Sequence, residues 1–301
     1  MPVTSPQEPR GEVLCIGELL WDALPAGLFL GGAPFNVACH LRAAGAAVTM
    51  VTRVGADQLG DEARRRVARY GVSTDLLQVD PAFPTGFVRV SVADDGNAAY
   101  DILEPAAWDN LETTRTLLDR AAAAQAIVFG TLAQRSAVTR DTMRRVLDTR
   151  ALKVLDVNLR PPYDDREIVR DSLRRADVVK LNEEEMQRLA SWLDLRGNLH
   201  RSAAVLAETF GCRAVCVTRG RNGAALWRDG RWSEHPGFEV EVRDTVGSGD
   251  AFLAVLLAGL LNGTEDEALL HHANLIGAYV ATQHGAVPVD QPAHEPPLAG
   301  P

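Results

Sequence analysis

Short, apolar, β-branched runs that alternate with helical patterns constrain this chain most. The runs fall at 13–16, 48–54, 126–129, 153–157, 178–181 and 214–218. Between them the apolar spacing predicts helices at 36–44, 61–70, 139–148, 166–175, 183–192 and 202–210. Gly45, Gly71 and Gly211 follow three of these directly, as left-handed helix stops do. Such alternation makes an α/β sheet, and the continuously apolar runs predict strands buried on both faces. Ligands of these sheets bind beyond the carboxyl ends of the strands. That rule puts Asn158, Asn182 and Thr218 along one rim.

A length of 301 residues suits one main domain, expected over 11–288 between tails at 1–10 and 289–301. One segment departs from the alternation: 87–92 and 98–102 read as a hairpin turning at Asp94-Asp95-Gly96-Asn97. The net charge of −9 argues against nucleic acid and anionic membrane as partners. The longest strongly apolar run, 251–261, is too short to span a bilayer, and the amino end has no secretory core. Four cysteines without metal-ligand spacing read as buried thiols and suit a cytoplasmic protein.

The chemistry concentrates at Asp244-Thr245-Val246-Gly247-Ser248-Gly249-Asp250, where a loop meets the apolar helix 251–261. Unpaired amides at a helix start form a cup for a phosphate, and glycine lets the anion approach. A carboxylate in such a cup repels the anion unless it serves as a proton acceptor beside it. Phosphoryl transfer to an alcohol needs that pairing. A glycine-rich turn capped by Asp250, without any ligand, fits the same residues. The chain has neither a Gly-x-x-x-x-Gly-Lys-Ser/Thr phosphate loop nor a Gly-x-Gly-x-x-Gly after its first strand, which excludes common phosphate-loop kinases and nicotinamide dehydrogenases.

A second glycine pair opens a helix in Gly31-Gly32-Ala33-Pro34-Phe35-Asn36-Val37-Ala38. Together, and in this order, the two segments resemble the paired signatures of the ribokinase-like (phosphofructokinase-B) family of sugar kinases, over residues 13–288. The resemblance implies a three-layer α/β/α sandwich with a mostly parallel central sheet and a small β lid, here at 21–30 and 83–102, often also a homodimer contact. It implies Asp250 as general base, with Gly247, Ser248 and Gly249 holding the transferring phosphoryl group. For the sugar it implies Asp22, Gly31, Gly32, Asn36 and Arg160, together with Asp250.

For ATP the matching positions are Asn182, Thr218, Arg219, Gly220, Gly223, Gly247, Gly249 and Asn274. Asn182 and Glu185 match the Asn-x-x-Glu pattern that orients hydrated Mg²⁺, although acids at a helix start also serve the helix dipole. Asp244, Val246 and Gly285 match parts of a K⁺ site, but Val289 stands where some relatives have serine. Within the family, 17–25, 31–38, 107–109, 129–136 and 156–163 look like bacterial fructokinases. The expected reaction is transfer of the γ-phosphoryl group of ATP to the 6-hydroxyl of D-fructose. Kinases of the same fold acting on 2-keto-3-deoxygluconate, ribose or a nucleoside stay open, as does an inactive regulatory relative. Phe35, where a small residue is usual, either reshapes a helix face or narrows the sugar pocket.

Overall fold

The computed structural model describes residues 11–24, 27–92 and 98–288. Both tails, Val289 and the turn at Asp94-Asp95-Gly96-Asn97 lie outside them. In chain order the elements are β1 (Val13–Ile16), β2 (Leu20–Leu24), β3 (Gly27–Gly31), α1 (Ala33–Ala43), β4 (Val48–Gly55), α2 (Gln58–Arg69), β5 (Leu77–Asp80), β6 (Gly86–Val92) and β7 (Ala98–Ile102). Then come α3 (Arg115–Ala123), β8 (Ala126–Gly130), α4 (Ala137–Val146), β9 (Leu152–Asp156), α5 (Arg166–Arg175), β10 (Val178–Asn182), α6 (Glu183–Leu193) and α7 (Leu199–Phe210). The chain closes with β11 (Ala214–Thr218), β12 (Ala224–Arg228), β13 (Arg231–His235), α8 (Ser248–Leu261) and α9 (Asp266–Ala281).

Nine strands form the main sheet in the order β13-β12-β11-β10-β9-β8-β1-β4-β5, parallel except for β12 and β13. Alternate residues of a strand face opposite sides, so each strand feeds two cores. Leu14 and Ile16 join Phe129, Leu155 and Val179 under Leu117, Met143, Leu173, Leu189 and Leu206 of α3 to α7. Val13 and Cys15 join Met50, Val128 and Cys216 under Leu41, Val67, Leu257 and Leu270 of α1, α2, α8 and α9. The result is the three-layer sandwich that the resemblance implies. Cys15, Cys39, Cys212 and Cys216 are all buried and free. Among the described residues no helix is long and apolar enough to cross a membrane.

A second sheet of four strands runs β3-β2-β6-β7 and covers one end of the first. It corresponds to the expected small sheet, with its strands starting at Leu20 and Gly86. Several helices begin earlier than their apolar spacing suggests, because polar caps start them. Asp57 accepts from the Gly60 amide at 2.7 Å and Asn198 from the Arg201 amide at 3.0 Å, while Pro34 supplies a pre-set first turn to α1. The most consequential shift is in α8. It starts at Ser248 rather than Ala251, so Gly249 and Asp250 belong to its first turn rather than to a preceding loop.

Candidate active site

Gly247 caps α8 with φ 78°, a left-handed conformation that glycine adopts freely. A methyl group there would also collide with Ala286, lying 2.6 Å from its Cβ. This turn opens a fourteen-residue helix, whose first amides lack helical partners, although the Ser248 amide donates to the Thr245 carbonyl at 3.3 Å. Ser248 donates its hydroxyl to the Gly277 carbonyl of α9 at 2.8 Å, which fixes the turn against its neighbouring helix. The Asp250 side chain joins the two ends of the sequence: its Oδ2 accepts from Asn36 Nδ2 of α1 at 2.8 Å.

The residues expected to hold the sugar come from β2, β3, α1 and the loop after β9. The Asp22 carboxylate lies against Gly31, and the carbonyl of Glu18 lies where a methyl group on Gly32 would be, 2.5 Å away. Burial pushes the Asp22 carboxyl up to about 6, against the pull of Arg160. Burial likewise raises Asp250, opposed by Lys180, Asn36 and Arg160. Two buried acceptors beside it, Glu18 Oε2 and Asn36 Oδ1, have no hydrogen-bond partner among the described residues. A buried acceptor without a donor costs roughly 1–3 kcal/mol, a cost that a polyhydroxy ligand can relieve.

On the nucleotide side, Asn182 and Thr218 are register partners at the carboxyl ends of β10 and β11. Gly223 has φ 77°, and a methyl group there would strike the His235 carbonyl. Gly220 is left-handed as well. Arg219, expected in the nucleotide loop, has its side chain engaged within the protein. Its guanidinium donates to Glu234 at 3.0 Å and to the Ala224 and His235 carbonyls at 3.4 Å, so it ties the loop to β12 and β13 and leaves its backbone to face a nucleotide. Asn274 is buried rather than exposed, and its Nδ2 donates to Leu270 O at 2.7 Å within α9.

Asn182 and Glu185 make a reciprocal capping box at 2.8 Å, and the other Glu185 oxygen accepts from the Leu159 amide at 2.7 Å. Glu185 is thus a structural cap first, although an ionised carboxylate keeps further acceptor sites. Asp244 accepts from the Val246 amide at 3.0 Å and from the Gly285 amide at 3.1 Å, which gathers all three residues beside the Gly247 turn.

Phe35 is buried with its ring 5.8 Å from Tyr70, edge to face, so it shapes the contact of α1 with α2. Three of the fructokinase-like stretches meet elsewhere. Arg135 donates twice to Asp109 at 2.8 Å and lies over the rings of Trp108 and Tyr163, at 4.0 and 4.7 Å. It also donates to the Leu103 carbonyl just after β7 at 3.1 Å, so these stretches buckle the small sheet to the large one.

Three charged residues of the site escaped the sequence reading: Glu18, Asp156 and Lys180. All three are buried: Asp156 closes β9, Lys180 is the central residue of β10, and Glu18 lies two residues past β1. Lys180 Nζ donates to both Asp156 oxygens at 3.1 Å. The available signal was a charge inside or directly after an apolar run, which burial permits only with a partner.

The sequence profile described as pfkB family carbohydrate kinase matches residues 26–293. A fructokinase of Klebsiella pneumoniae is 30% identical over 92% of this chain and 95% of its own length. The structure of a Xylella fastidiosa fructokinase with bound ATP is 26% identical, with TM-score 0.78, covering 92% of this chain and 94% of that one. A Vibrio cholerae fructokinase solved with fructose, ADP and calcium shares the fold at 24% identity and TM-score 0.79, over 93% and 96%. With the family profile matched over nearly the whole length, the chain belongs to the pfkB family of carbohydrate kinases.

Proposed function

We propose that this kinase transfers the γ-phosphoryl group of ATP to the 6-hydroxyl of D-fructose. The observation that carries the reading is the Asn36–Asp250 hydrogen bond, which brings the sugar-side glycine pair and the phosphate-side cup to one carboxylate. Asp22, Gly31, Gly32, Asn36 and Arg160 hold and orient the sugar, and the unpartnered acceptors suit its hydroxyls. Asp250 takes the hydroxyl proton as the new oxygen–phosphorus bond forms. A loose transition state demands position from this group more than basicity. The amides of Gly247, Ser248 and Gly249 stabilise the charge on the transferring oxygens.

The loop Thr218-Arg219-Gly220 with Gly223, and Asn274 one helix over, would border the nucleotide. Among the described residues no cluster of three or more His, Cys, Asp or Glu is arranged to cage a metal. Mg²⁺ that keeps most of its waters fits Asn182 and Glu185, and when bound it neutralises phosphate charge. Asp244, Val246 and Gly285 suit K⁺ held by backbone oxygens beside the cup. The small sheet acts as a lid over the sugar. Its outer strand β3 exposes Leu28 and Phe29, which offers a homodimer contact.

A coupled assay of ADP release with Mg²⁺, with and without K⁺, across fructose, 2-keto-3-deoxygluconate, ribose and a nucleoside tests the reading. Fructose should give the highest kcat/KM. Turnover of another acceptor with none of fructose would move the assignment within the family, and no turnover of any would favour a regulatory relative.

A further inference from the structure

Lys180 lies deep beneath the cup. A methyl group on Gly249 would fall 3.0 Å from its Nζ, so the ammonium presses against the first turn of α8. The side chain is 8% exposed and its register partner Asp156 4%. The Lys180 Nζ is held there by two 3.1 Å hydrogen bonds, one to each Asp156 carboxylate oxygen. The charged groups around the spot are Asp156 on β9, Lys180 on β10, Glu185 on α6, Asp250 on α8, and Arg160 and Glu18 in the loops after β9 and β1.

A buried ion pair is an expensive way to hold two strands together, and well-packed apolar side chains of similar volume often do as well or better. Asp156 and Lys180 therefore call for a reason beyond packing. The acids outnumber the cations here, so an incoming polyphosphate meets a site that needs fixed positive charge. Backbone amides supply part of it. An ammonium under the same helix turn supplies the rest at fixed distance and without reorganisation.

We propose that Lys180 is a positioning residue for phosphoryl transfer: held by Asp156 under Gly249, it adds a fixed positive charge to the amide cup and steadies the phosphoryl group in flight. The inference rests on the kinase reading above. In the step concerned, the bond from the hydroxyl oxygen to the γ-phosphorus forms as the bond from that phosphorus to the bridging oxygen breaks. The electron pair leaves with ADP, and the hydroxyl proton passes to Asp250.

Lys180→Met should cut kcat about 100- to 1,000-fold while the sugar KM stays within about threefold, the range for loss of one preorganised donor. Lys180→Arg, which keeps the ion pair, should fall in between, near tenfold. The double variant Lys180→Met/Asp156→Leu removes both buried charges and so escapes the cost of an orphaned carboxylate. It should fold and remain as slow as the single variant. Equilibrium binding of ADP with tetrafluoroaluminate, a mimic of the phosphoryl group in flight, should weaken by a factor similar to kcat, with ADP alone little changed. A folded double variant with near-native turnover would overturn the proposal, as would a Lys180→Arg variant as slow as Lys180→Met or equal weakening of both ADP complexes. A wild type that phosphorylates no sugar defeats the functional reading instead, and the fluoride comparison still decides on Lys180.

Discussion

The cup at the start of α8 and the buckle around Arg135 are both charged, largely buried clusters. They differ in how their charge is met. At the buckle one guanidinium is matched to one carboxylate by two 2.8 Å hydrogen bonds and is sandwiched by two aromatic rings. At the cup three acids, Asp156, Glu185 and Asp250, surround Lys180, and burial pushes each of them up. Nearby acceptors on Glu18 and Asn36 lack donors. Unpartnered polar atoms occur at both, Arg135 Nη1 and Trp108 Nε1 at the buckle included, and it is the excess of buried acid around Lys180 that sets the cup apart. Resemblance to relatives does not by itself separate the two kinds of site, because Glu18, Asn36 and Asp156 beside the cup lie, like the buckle, in stretches that look like fructokinases.

The comparison breaks most visibly at the buckle. Arg135→Ala leaves the half-buried Asp109 with only the Ala106 amide as donor, and should cost about 3 kcal/mol of stability, the lower end of the penalty for orphaning one partner of a buried pair. Chemical denaturation would show it, while kcat per folded molecule stays within about threefold. A large loss of kcat at full stability would instead make Arg135 part of the active site.

The cup resists in the opposite sense. Burial raises the Glu18 carboxyl to about 7 from an ordinary 4.5, with Asp250 adding to the rise and Arg160 opposing it. The native state thus binds that proton more tightly than the unfolded chain does. Its contribution to stability is full below about pH 4.5 and is lost as pH rises to about 7. Glu18→Gln removes the titration and should stabilise the protein by up to about 3 kcal/mol at pH 8, with the gain vanishing near pH 4.5. Thermal melts of both proteins across this range would check it, and a gain independent of pH would refute the assignment.

Much of this was legible in the sequence because parallel strands buried on both faces write themselves as apolar runs. The spans of β1, α5 and β11 match their predicted limits. β5, with residues LQVD, and β12, with AALWR, were not recognised, since a polar edge strand and a short alanine-rich strand lack that signature. Glycine-rich loops announced the cup, and Asn36 was named with it. Lys180 and Asp156 stayed hidden because their function comes from a register between neighbouring strands, which no local pattern encodes. Arg219 shows a related limit: its place in a nucleotide-like loop is visible, but its side-chain partner Glu234 on β13 is not.

The most direct measurement is the turnover of Asp250→Asn with saturating sugar and ATP. The amide keeps the size of the side chain and can keep a hydrogen bond to Asn36, so folding and ADP affinity should stay near those of the wild type. The expected result is a fall in kcat of about 1,000-fold, within the range for loss of a positioned general base. A folded variant that retains more than about a tenth of native kcat would contradict the role of this carboxylate.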